Sequence, residues 1–384
     1  MRPPGSPPAS QPHGERHNVA HRIALRLDAP QRSLSSARNS NRGVAPVPAD
    51  PVLVEVRRGD HVESRHRGAA VVTDAAGRLV FAVGDVARLV FPRSAIKLIQ
   101  ALPLVESGAA DALGLSTADL ALAGASHNGE PRHVAGAAAM LARVGRDETC
   151  LVCGAQWPQR EDDRGRLHIE GRTPTRLHNN CSGKHAGFVC FAVHAGIDPA
   201  GYGAVDHPVQ RTIAAAIEDV VGVSLADTPR GRDGCSIPTW ALPLDGLARG
   251  FARLGSGTGL APTRARAARR LIDAAIAEPF MVAGTGRFCT EMLTAAAGRV
   301  YVKTGAEGVF CAALPDLGLG LAVKIADGAT RAAEVVTATL LAALLGRRDD
   351  PAFDRFLRPP IVDWNGATVG GVAAIDGLAA DFAP

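Results

Sequence analysis

Lys97 follows Ser94 by three residues in "FPRSAIKLIQ", and that spacing on a helix puts a hydroxyl and an amine on one face, in reach of each other. A serine beside a neutral amine is an activated nucleophile. Lysine is scarce in this chain: of 42 basic residues only Lys97, Lys184, Lys303 and Lys324 are lysines, and the other 38 are arginines. An ammonium can lose its proton inside a protein and a guanidinium cannot, so the surviving lysines mark places where arginine fails as a substitute. The competing reading, an N-cap serine with a solvent-facing lysine, fits the spacing equally well; the scarcity of lysine favours chemistry.

Two further groups follow in order. "GASHNGEP" sets Ser126, His127 and Asn128 in a polar turn after an apolar helix, and "YVKTGAEG" sets Lys303 at a strand end. Each alone reads as ordinary loop or strand chemistry. Together, S-x-x-K, S-x-N and K-T-G in this order are the motif set of serine β-lactamases and penicillin-binding proteins. There the first serine attacks an acyl carbon, the first lysine tunes it, and the other pair moves protons and holds a carboxylate.

The remaining chemistry centres on thiols. "HNNCSGKHAG" carries Cys181, Lys184 and His185, and "GRDGCSIP" carries Asp233 and Cys235. Two thiols with nearby nitrogen and carboxylate donors can hold one zinc, with lysine as a neutral-amine ligand; a glycine-rich turn with a buried cysteine is the alternative. Cys150 and Cys153 in "CLVCG" have C-x-x-C spacing, but their flanks read as a buried apolar strand. Cys190, Cys289 and Cys311 sit in apolar contexts as core residues. Lys324, in "AVKIADG", has no assignable chemistry.

The elements that must position these residues alternate in type. Residues 52–85 read as an antiparallel meander, with turns at Gly59-Asp60 and Ala76-Gly77. From about 92 to 280 the period is helical, as in "HPVQRTIAAAIEDVVG" and "PTRARAARRLIDAAIAEP". Strand signals return at "GRVYVKTG", "GVFCAALP" and "GLGLAVKIADG", then a helix, "ATRAAEVVTATLLAALLG", and a last strand near "TVGGVAAI". Strands from both ends joined in one antiparallel sheet, with the helical middle (about 92–280) inserted as a lobe, make an α+β fold with a cleft where lobe meets sheet.

Bulk properties narrow the partners. The net charge of +4 resides in residues 1–50, with seven arginines and three acids; residues 51–384 hold 35 basic and 35 acidic residues. A neutral folded part argues against a nucleic-acid surface. The Pro-, Arg- and Ser-rich opening, residues 1–50, reads as a disordered extension without a secretory signal. Seven cysteines and no signal argue for free or metal-bound thiols in a cytoplasmic protein, with residues 51–384 as its catalytic domain.

Seven blocks in order, "RSAIKLIQALPLVESGAAD", "ASHNGEP", "CGAQWP", "HNNCSGKHAGF", "DGCSIPTWALPL", "AGTGRFCTEML" and "VKTGAEGVF", resemble the L-asparaginase II family. The resemblance implies a serine-β-lactamase-like fold and a homodimeric zinc enzyme that hydrolyses L-asparagine to L-aspartate and ammonia. It further implies that Ser94 with Lys97 and Ser126 with Lys303 are two serine–lysine pairs. Cys181, Lys184 and Cys235 would be the zinc ligands, and Arg93, His185 and Asp233 substrate-organising residues. The chain departs from the family at Leu98, where proline is frequent. A penicillin-binding or β-lactamase-type acyltransferase, or another amidase, is the alternative expectation; it would not require the Cys181/Cys235 pair.

Overall fold

The computed structural model describes residues 50–382, apart from the Asp381 side chain. The extension expected over residues 1–50 lies outside the described residues except for Asp50, whose carboxylate accepts hydrogen bonds from the Arg88 guanidinium. Eight strands form one antiparallel sheet: β1 (Val52–Arg58), β2 (His61–Asp74), β3 (Leu79–Val83), β4 (Tyr301–Gly305), β5 (Val309–Leu314), β6 (Leu319–Ile325), β7 (Pro360–Val362) and β8 (Thr368–Ala374). Their order is β7-β8-β1-β2-β6-β5-β4, with β3 also paired to β2. The pairing of β2 with β6, Ala70 opposite Val323, joins the two ends of the chain in one sheet, as the strand signals predict.

Between β3 and β4 the chain is mainly helical. Helix α1 (Lys97–Glu106) is buried from Lys97 to Leu104 and is packed by α4 (Ser182–His194), α5 (Pro208–Val221) and α7 (Pro262–Ala277). The short α2 (Thr117–Ala123) starts with a capping box, Ser116 Oγ accepting from the Asp119 N–H while the Asp119 carboxylate accepts from the Ser116 N–H. Helix α3 (Pro131–Ala142) packs on α4. Gly183 lets the start of α4 close on the end of α2: a Cβ there would stand 2.4 Å from the Leu122 carbonyl oxygen. That contact brings the Cys181–Lys184 turn against the Ser126 segment.

One helix of the middle region lies on the sheet itself. The apolar face of α6 (Leu244–Ser256) carries Leu244, Leu247, Ala248, Phe251 and Ala252, all buried. Gly320 of β6 permits the approach, since a Cβ would meet the Ala248 carbonyl at 2.0 Å. Phe251 stacks on Tyr301 of β4 with ring centroids 6.2 Å apart. The period of two along β4 then puts Tyr301, Lys303 and Gly305 on that same face. The opposite face carries Phe310, which meets Phe288 of α8 (Phe288–Ala295) at 5.2 Å. Phe288 in turn contacts Phe356 of a C-terminal helix, Pro351–Leu357, that follows α9 (Thr330–Leu344).

The segment around Cys150 and Cys153 is a single 3-10 turn, Glu148–Cys150, followed by irregular chain rather than the strand its apolar flanks suggest. Its carbonyls at Thr149 and Leu151 are taken by the Arg176 guanidinium at 2.9 and 2.6 Å, so side-chain donors replace a neighbouring strand. Among the described residues no helix is long and apolar enough to cross a membrane.

Candidate active site

Ser94 lies in a 3-10 turn, Arg93–Ile96, that opens directly into α1, so Lys97 is the first α-helical residue. Arg93 has φ +51°, a left-handed conformation that non-glycine residues seldom adopt and that typically costs about 1–3 kcal/mol. The strain is held by the ion pair of Arg93 with Asp233, 2.7–2.8 Å. Asp233 precedes Cys235, and Ser236 just beyond is also left-handed, φ +73°. Two strained residues thus flank Ser94 and Cys235.

Lys97 is 0% and Lys303 1% exposed. Burial disfavours an ammonium at both positions. It pushes Lys97 below the ordinary lysine value against the pull of the Cys181 thiolate. Lys303 is pushed well below it, first by burial and then by the positive charge of Lys97. Lys303 Nζ donates to Ser126 Oγ at 2.7 Å and to the Thr304 carbonyl at 2.9 Å. Lys97 Nζ donates to the carbonyls of Ala125, 2.5 Å, and Asn180, 3.4 Å. Of the two expected serine–lysine pairs, Ser126 and Lys303 are hydrogen-bonded directly. Ser94 and Lys97 share no side-chain hydrogen bond among the described residues; Lys97 borders the Ser126 segment at Ala125, and the turn that carries Ser94 packs on β4, the strand of Lys303. Lys324, outside this group, donates to the Glu307 carbonyl and pins the β4–β5 turn that follows Lys303.

The segment 126–128 is held like a strand. The N–H groups of Ser126 and Asn128 bond Val282 and Ala283 on one side, and that of His127 bonds Asn180 on the other. Ser126 and Asn128 therefore share a face. His127 is neutral, its value driven well down by burial and by His133. Its Nδ1 accepts from the Gly129 N–H, which leaves the proton on Nε2, 3.0 Å from Ser182 Oγ.

Cys181, Lys184 and Cys235 converge, all buried. Lys184 Nζ is 3.1 Å from Cys235 Sγ. A hydrogen bond from Cys235, helped by Lys97 and Lys184, drives the Cys181 thiol well below its ordinary value despite burial. Burial works against the charge of Lys184, but Cys235 and Cys181 outweigh it and hold the amine above the ordinary lysine value, as an ammonium; a zinc ion held by Cys181, Cys235 and Lys184 would take the place of that proton. Among the described residues no three His, Cys, Asp or Glu side chains are grouped so as to hold a metal ion. Burial and the neighbouring charges of Lys184 and Lys97 keep His185 neutral as well. Tyr202 Oη accepts from the Val152 N–H at 3.1 Å and shares a hydrogen bond with His185 Nδ1 at 2.6 Å. His185 Nε2 is buried without a partner among the described residues, beside Lys184 and Lys97.

A family model described as L-asparaginase II matches residues 54–374. The chain belongs to the L-asparaginase II family. None of the curated proteins matches it. Among solved structures it is similar to a β-lactamase from Mycobacterium bovis, at 16% identity over 79% of this chain and 96% of that one, TM-score 0.39. It is also similar to Mglu in its tris and glutamate form, at 13% identity over 89% and 68% of the two chains, TM-score 0.34. The role that follows from the L-asparaginase II family is amide hydrolysis.

Sequence reasoning missed Tyr202, Glu130, Thr285 and Arg287. Glu130 is buried and accepts from the Thr285 N–H and hydroxyl, both 2.8 Å, and from Asn128 Nδ2, 3.1 Å. Burial works against its charge, but these donors outweigh it and hold the carboxyl below its ordinary value. Arg287 escaped notice because one arginine among 38 carries no signal by itself.

Proposed function

We propose that this chain is an L-asparagine amidohydrolase, releasing L-aspartate and ammonia by serine–lysine chemistry. The observation that carries the reading is the 2.7 Å contact between Ser126 and Lys303, two buried side chains, with Lys97 as a second depressed amine beside them. Two buried amines whose ammonium forms are disfavoured, with the serine hydroxyls near them, suit proton transfer. Ser94, half-buried and therefore reachable, attacks the side-chain amide carbon while neutral Lys97 takes its proton. A C–O ester bond forms and the C–N bond breaks. The proton reaches the leaving nitrogen through the Ser126–Lys303 pair, so ammonia departs neutral. Water then cleaves the ester, giving the carboxylic acid and restoring the Ser94 hydroxyl.

Cys181, Lys184 and Cys235 are the residues that would hold zinc. Such an ion, electron-rich between two thiolates, would orient the substrate. The protein is expected to bind about one zinc per chain, and metal analysis should find it lost in Cys181→Ala. Chelation should raise KM for asparagine more than it lowers kcat; a loss of kcat at saturating substrate would contradict the orienting role. The chain is expected to act as a homodimer in the cytoplasm. Ammonia release from L-asparagine, measured on the wild type and on Lys97→Arg, tests the chemistry. Arginine keeps the charge but cannot serve as a base, so near-normal turnover would contradict it.

A further inference from the structure

An amino-acid substrate brings an α-carboxylate into the site, and most cations there are already engaged. Arg93 is paired with Asp233 and Lys184 with Cys235, while Lys97 donates to the Ala125 and Asn180 carbonyls and Lys303 to Ser126 Oγ and the Thr304 carbonyl. Arg287 is different. Its NH1 donates to two neutral amide oxygens, Asn128 Oδ1 at 2.9 Å and Gln159 Oε1 at 2.6 Å, and it forms no salt bridge among the described residues. Those two bonds use one nitrogen of the fork and fix its plane; the other donors stay available for a second, bidentate partner. The guanidinium is half-buried, open enough for a ligand to reach.

Its position relative to the reacting groups follows from the backbone. Asn128 shares a face with Ser126 and stands two residues beyond it, about 7 Å along an extended segment. That is the scale of a short amino acid held by its amide at one end and its carboxylate at the other. Glu130 secures the arrangement: it fixes the Asn128 amide and, through both Thr285 bonds, the turn that delivers Arg287.

We infer that Arg287 binds the α-carboxylate of the substrate and so selects amino acids over simple amides. The inference rests on the amidohydrolase reading above. The test compares L-asparagine with 3-aminopropanamide, the same molecule without its α-carboxylate, in wild type, Arg287→Gln and Arg287→Lys. The wild type is expected to prefer asparagine in kcat/KM by on the order of 10²-fold or more. Arg287→Gln should lose most of that preference, chiefly through a raised KM for asparagine, with the rate on the analogue little changed. Arg287→Lys, which keeps a charge without the fork, should fall between, and it carries the test if the glutamine variant does not fold. An asparagine KM in Arg287→Gln within about twofold of wild type, or equal losses on both amides, would overturn the inference. A wild type that releases no ammonia from asparagine would overturn the amidohydrolase reading instead.

Discussion

At the scale of residues, the site is built on amines whose ammonium form burial disfavours. Lys303 is the clearest case, and its environment has a cost for stability as well as a use in catalysis. Because its folded-state pKa is depressed, its contribution to stability is fully present above the unfolded-state value and is lost as pH falls toward the folded-state value. At neutral pH the wild type bears that penalty and Lys303→Met does not. The variant is therefore expected to melt at a higher temperature than wild type at pH 7, with the gap closing as pH rises toward about 10.4. The same change should lower kcat on the order of 10²–10⁴-fold. Thermal melts across pH, with activity alongside, check both; a variant less stable at pH 7 and equally active would contradict the account. The four scarce lysines were legible in the sequence, and three of them meet in the site while Lys324 supports a turn. The Ser94–Lys97 spacing did not reveal that the Lys97 amine turns to the Ala125 and Asn180 carbonyls, because those acceptors arrive from distant chain.

At the scale of elements, the sheet face is set by one close approach. Gly320→Val would drive a side chain into the backbone of α6 at Ala248 and Ala252, and overpacking of this kind costs about 1–3 kcal/mol or more. Urea unfolding should show a lower midpoint, and because α6 backs Tyr301 on the strand of Lys303, activity should fall at temperatures where the fold persists. An unchanged midpoint would mean that α6 does not lie on β6 as described. The strands and the longer helices were readable from period and turn residues, Gly59-Asp60 and Pro262 among them. The helix 244–256 announced its apolar face but not its partner, since a hydrophobic stripe does not say whether sheet or lobe will cover it. The turn at Cys150 was misread as strand because apolar flanks look alike whether a neighbouring strand or an arginine satisfies the backbone.

At the scale of the whole molecule, chain ends that pair in one sheet and a lobe inserted between them bring residues 94, 126, 181, 235 and 303 together, though more than 200 positions separate the first from the last. The L-asparaginase II family model spans all five positions. If the homodimer implied by the family resemblance forms, light scattering should return twice the chain mass of 39.7 kDa; a monomer that retains full activity would contradict it. The central claim, amide hydrolysis of L-asparagine through the serine–lysine groups, is tested most directly by ammonia release from the purified protein beside Ser94→Ala and Ser126→Ala. The account predicts release matched by L-aspartate in the wild type and severe loss in both variants. No release from a folded, zinc-supplied wild type, or undiminished release from both serine variants, would contradict it.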